Sequence, residues 1–121
     1  MITREVLPDQ WVGFFHTFTD KHAGQLVSIR IDGKYSKHQI EGMEARKLPL
    51  REIAADLKAK ENTVVISVGM SRSSLLWHAI EAVSHVRVVQ AEDDSESALE
   101  IASMNGQTTI LSLSAPPSPS L

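Results

Sequence analysis

The chain has 121 residues, no cysteine and a formal net charge of −3. That length suits one domain with a core of its own, and the lack of cysteine excludes disulfides, thiolate metal sites and cysteine nucleophiles. No apolar run approaches the roughly 18 residues that a membrane-spanning helix needs, and Met1-Ile2-Thr3-Arg4-Glu5 lacks the apolar stretch of a secretory signal.

Charge is unevenly spread. Residues 1–60 carry ten Lys and Arg against eight Asp and Glu, whereas residues 61–121 carry two against seven. A nucleic-acid binder needs several cations on one face. Arg30, Lys34, Lys37, Arg46 and Lys47 would have to gather to supply them, so nucleic acid is not the expected partner. A reducing, cytoplasmic setting fits the cysteine usage.

The first element is a helix over about residues 8–22. Trp11, Phe14, Phe15, Phe18 and His22 recur at the spacing of one helical face, and all three phenylalanines of the chain lie in it. Pro8 suits the first turn, Asp9 the positive end of the dipole, and Gly24 a left-handed stop. Gly13 costs the helix about 1 kcal/mol relative to Ala, so a close packing partner is one expectation there. Burying the aromatics contributes about 1.5–3 kcal/mol each.

Strands follow. Val27, Ile29 and Ile31 alternate with polar residues over Leu26 to Ile31. Asp32-Gly33 opens a turn, His38 to Arg46 reads as a second strand bent at Gly42, and Pro49 ends that stretch. Residues 50–60 fit a helical face or a strand. The β-branched run Thr63 to Val68 is a strand, which favours a hairpin of 51–58 with 63–69. Gly69 to Ser74 is a loop, Leu75 to Ile80 a short strand, and Ser84 to Ala91 another, with Val86 and Val88 opposite Arg87. Glu92 to Glu96 forms an acidic turn that lacks the bend glycine of a calcium loop. Asn105-Gly106 between apolar segments marks a two-residue hairpin turn. That register sets Ile101 opposite Ile110 and Leu99 opposite Ser112, and leaves apolar groups on both faces. Residues 114–121, with three of the five prolines, read as a disordered tail; residues 1–113 form the single globular domain.

The expected fold class is α+β, mostly β: the N-terminal helix packs on a curved antiparallel meander or small barrel of seven to eight strands. An open sheet is the other arrangement.

Little chemistry is written in the sequence. The five histidines form no metal-binding spacing, and neither a nucleophile elbow nor a phosphate loop is present. Neither metal nor cofactor is expected. Gly69 to Ser74 is the closest approach to an anion-binding loop. His78, beside Trp77, is the candidate ligand-binding residue, with Arg72 or Arg87 as polar partners. As a base it would need an orienting carboxylate from Glu44, Glu81 or Glu100. The expectation is a non-catalytic binding or assembly module that meets a protein partner or a second copy at a strand edge. A ligand-binding protein or enzyme with a pocket near His78 is the alternative, and a nucleic-acid-binding small barrel the second.

Thr3-Arg4-Glu5 with Asp9-x-Trp11 and Phe14-Phe15 opens a pattern that runs through most of the chain. It continues in Glu44-Ala45-Arg46-x-Leu48-Pro49-Leu50 with Ile53-x-Ala55-Asp56-Leu57-Lys58. It closes with His78-x-Ile80, Val86, Arg87, Ala98-Leu99-Glu100-Ile101 and Gly106-x-Thr108-Thr109-x-Leu111. This order resembles a family of short, single-domain prokaryotic proteins of unknown function. The resemblance implies a stand-alone domain and supplies no activity, cofactor or catalytic residue. One departure is Val83, where the pattern leads us to expect proline.

Overall fold

A computed structural model describes residues 1–33, 47–56 and 62–114. A helix, α1 (Trp11–His22), follows a first strand, β1 (Ile2–Val6), and a single 3-10 turn at Pro8–Gln10. Seven more strands complete the described chain: β2 (Leu26–Asp32), β3 (Leu48–Asp56), β4 (Thr63–Val68), β5 (Leu76–Ile80), β6 (Val83–Gln90), β7 (Glu96–Ser103) and β8 (Thr108–Leu113). All eight join one antiparallel sheet in the order β1-β6-β7-β8-β2-β3-β4-β5, which is not closed into a barrel. Two runs of neighbouring hairpins, β6-β7-β8 and β2-β3-β4-β5, meet where β2 pairs with β8. Between β2 and β3 the ladder is short, with Leu26 opposite Pro49 and Val27 opposite Leu48.

The aromatic stripe does what its spacing implies. Trp11, Phe15 and Phe18 are buried with Val27, Leu50, Ile53, Ile66, Leu99 and Leu111 in one core, while Phe14 is half-buried against it. The Trp11 indole N–H donates to the Val6 carbonyl at 2.9 Å, so a buried polar tip finds its partner. Thr19 Oγ1 accepts from the Ile53 amide at 3.0 Å and donates to the Ile53 carbonyl at 3.3 Å, tying the helix to β3. The helix stops at Ala23, followed by Gly24 at φ +87°.

Several expectations change. Pro49 does not end a strand but lies within β3; near the strand start its missing N–H is tolerated. The ambiguous stretch after it is strand, and β3 and β4 form the anticipated hairpin. Arg51 is the extra residue of a bulge between Leu50 and Glu52. Its guanidinium reaches the carbonyls of Gly69 and Met70 at 2.8 and 2.7 Å.

The last hairpin is shifted by one residue. Leu99 lies opposite Leu111 and Ile101 opposite Thr109. Three residues, not two, make the turn, as the Ser103 amide donates to Gln107 and the Gly106 amide to Ser103. Gly106 takes φ +93°, the left-handed third position of a three-residue hairpin loop. A slip of one residue exchanges the faces of a strand. Leu99, Ile101 and Leu111 thereby share the core face, and all three are fully buried.

At Val83, proline would forfeit a bond: the Val83 amide donates to the Asn62 carbonyl at 2.9 Å. The turn is made instead by Ala82 at φ +53°. The expected strand at His38 to Arg46, with Gly42, lies outside the described residues. So do residues 57–61 and, of the tail, residues 115–121. Ser114 itself is bonded, its amide donating to Leu26 and its carbonyl accepting from the Gln25 side chain.

Candidate functional site

Among the described residues, strand β5 is an edge of the sheet, paired with β4 on one side only. Its residues Leu76, Trp77, His78, Ala79 and Ile80 include no Lys, Arg, Asp, Glu or Pro. Those are the residues with which edge strands are normally protected from pairing with another chain. The opposite edge, β1, carries Arg4 and Glu5. Along β5, alternation places Leu76, His78 and Ile80 on the face shared with buried Val68, Ile66 and Val64 of β4. Trp77 and Ala79 occupy the other face. Trp77 is 66% exposed and Leu76 52%. Met70, in the loop that leads into the strand, is 70% exposed.

That loop is held from below. Gly69 donates to the Pro49 carbonyl at 3.0 Å while Arg51 takes the Gly69 and Met70 carbonyls. Ser71 Oγ lies 3.1 and 3.0 Å from the hydroxyls of Ser73 and Ser74. A segment whose carbonyls point at a guanidinium has the polarity opposite to an anion cradle, which aims N–H groups outward.

His78 is half-buried, with Nε2 3.3 Å from Thr109 Oγ1 on β8. Desolvation lowers the imidazole below its ordinary value of 6.5, so the neutral ring is favoured. Glu81, Ser103 and Gln107 line the same cleft, of about 140 Å³. That is well under the ~300 Å³ at which small-molecule pockets begin. Among the described residues no carboxylate bonds to His78, although Glu81 shares its cleft; Glu44 lies outside them. The sequence-derived trio does not assemble here, because neither arginine lines this cleft. Arg72 is exposed in the 3-10 turn Arg72–Ser74. Arg87 on β6 meets Glu5 of β1, Nε to Oε1 at 3.1 Å, and His85 Nδ1 lies 3.1 Å from Oε2 of the same glutamate. Of the cations considered for nucleic acid, Arg30 bonds Asp32 at 3.1 Å, and Lys34, Lys37 and Arg46 are not among the described residues.

A second polar cluster was not legible in the sequence. His22 Nε2 lies 2.7 Å from Glu96 Oε1 and its Nδ1 2.8 Å from Gln25 Oε1. Both histidine and carboxylate are largely buried, with side chains 14% and 8% exposed. Seventy-four positions separate the two, and Glu96 had read as part of a solvated turn. With both ring nitrogens engaged, His22 acts as a clasp between α1 and β7 and has no free nitrogen for a substrate. Within the turn, Asp93 accepts from the hydroxyl and amide of Ser95, which holds its carboxyl below the usual range. Among the described residues no three His, Asp or Glu side chains converge as a metal site, and no helix is long and apolar enough to cross a membrane.

The model of a family of unknown function, DUF5335, matches residues 2–120. The chain belongs to that family. Its breadth accords with the motifs that run from Thr3 to Leu111, and the family carries no assigned activity. No curated protein matches the chain, and no solved structure does.

Proposed function

We propose that this chain is a non-catalytic assembly module that pairs with a second copy of itself through β5. The observation that carries the reading is an edge strand free of charge and proline, bearing an exposed tryptophan. An isologous interface must be complementary to itself, and β5 satisfies this in the antiparallel sense. Paired about His78, Trp77 of one copy lies opposite Ala79 of the other, large against small. Leu76 lies opposite Ile80 on the other face, and no charge meets a like charge. Cross-strand pairs of this kind contribute about 0.2–1 kcal/mol each, added to a new ladder of backbone hydrogen bonds.

Light scattering over a wide concentration series tests this. The expected result is a monomer–dimer equilibrium that Ala79→Lys shifts to monomer while the far-ultraviolet circular dichroism stays unchanged. A strict monomer at every concentration, or a dimer indifferent to Ala79→Lys and Trp77→Lys, overturns it.

A further inference from the structure

A different face of the molecule holds a second site. Between α1 and β1 runs an open cleft of about 350 Å³, lined by Arg4, Gly13, Phe14, Phe18, Lys21 and Glu96 among others. Its volume falls within the range of small-molecule sites.

Gly13 is the first pointer. It sits inside α1, where glycine costs about 1 kcal/mol relative to alanine. Neither backbone nor packing asks for it. It is absent from the positive-φ glycines, and a Cβ built there meets no heavy atom within 4 Å. What the missing side chain leaves is room along the cleft wall.

Arg4 is the second. It lies opposite buried Val88 and two positions from buried Val6, so alternation puts it on the face of β1 that carries Val6, where Arg4 itself is exposed at the cleft. Its neighbour Glu5 is taken by Arg87 and His85. Arg4 itself has no hydrogen-bond or ion-pair partner among the described residues. Lys21 adds a second cation, with Nζ 3.7 Å from Glu96 Oε1, an oxygen already held by His22 at 2.7 Å. The cleft thus presents two cations against one carboxylate on a chain whose net charge is −3. Half-buried Phe14 supplies an apolar wall between them, backed by buried Phe18.

We infer that this cleft binds a small amphiphilic carboxylate, its anionic head between Arg4 and Lys21 and its apolar body along Phe14 and the bare Cα of Gly13. The site does not depend on β5 or on pairing of copies.

Octanoate is the probe and octanol its neutral control, each titrated into isotope-labelled protein while amide resonances are followed. Saturable shifts confined to α1, β1 and the start of β7 around Glu96 are expected with octanoate and not with octanol. Arg4→Gln should weaken binding about tenfold or more, as expected for loss of a charge-assisted contact. Gly13→Ala should also weaken it, yet raise the melting temperature because the helix gains a better former. That opposition separates a binding role from a structural one. No saturable shift, equal shifts with octanol, or octanoate binding that survives both substitutions overturns the assignment.

Discussion

At Gly69 the backbone takes φ +152°, and a Cβ there would lie 2.5 Å from the Ser74 carbonyl oxygen. Backbone cannot move aside as the end of a flexible side chain can. Gly69→Ala is therefore expected to destabilise the fold by more than about 1 kcal/mol, measured as a fall in the urea midpoint with unchanged slope. His78 makes a prediction of the opposite kind, one of solvent conditions. Burial lowers its folded value below 6.5, and Glu81 is the other titratable group lining its cleft. Above that pH the ring is neutral in both folded and unfolded chains and adds no pH dependence. Below it the unfolded chain takes up its proton first, so stability is lost as pH falls towards and through the lower folded value. Melting curves from about pH 8 to about pH 5 should show the wild type losing ground to His78→Gln only on the acid side. Parallel curves would show that this burial has no energetic consequence.

Among the elements, α1 is the one whose loss the rest cannot absorb. Phe15 and Phe18 are fully buried, and replacing either by Ala should cost about 3–5 kcal/mol by denaturant unfolding. Phe14→Ala should cost clearly less, because Phe14 is only half-buried and borders the cleft. This helix was legible because a 3.6-residue period of large aromatics has one reading. Strand β2 was legible for the matching reason, strict alternation. The final hairpin was located but its register was not. Asn105-Gly106 also fits a two-residue turn, and only the placement of Gly106 as third loop residue selects the arrangement that gathers Leu99, Ile101 and Leu111. Pro49 misled because proline is read as a terminator, while the start of a strand tolerates it. The exposed edge and the Arg4 cleft were hidden for a deeper reason: both depend on which strands are neighbours. That β1 pairs with β6, eighty residues away in the case of Glu5 and His85, is a long-range fact that local pattern does not carry.

At the scale of the whole sheet, the described residues leave two edges that differ in kind, one carrying Arg4 and Glu5 and one uncharged. Self-pairing through the uncharged edge would bring the two copies' His78 rings to the centre of a shared ladder. Because burial already favours the neutral ring, a second imidazole opposite makes protonation costlier still. The dimer fraction in light scattering should therefore fall as the pH drops towards and through the lowered value of the folded monomer's His78, and His78→Gln should blunt that fall.

The short ladder between β2 and β3, two residue pairs long, divides the molecule like the spine of a book. The leaf of β3, β4 and β5 is joined to the larger leaf there, through the shared core and the contact of His78 with Thr109, and by α1, which grips Ile53 through Thr19 and Glu96 through His22. Unfastening one end of that latch, as in Thr19→Val, should accelerate amide hydrogen exchange throughout the smaller leaf while the β6-β7-β8 amides keep their protection. A molecule jointed in this way can yield in part before it yields as a whole.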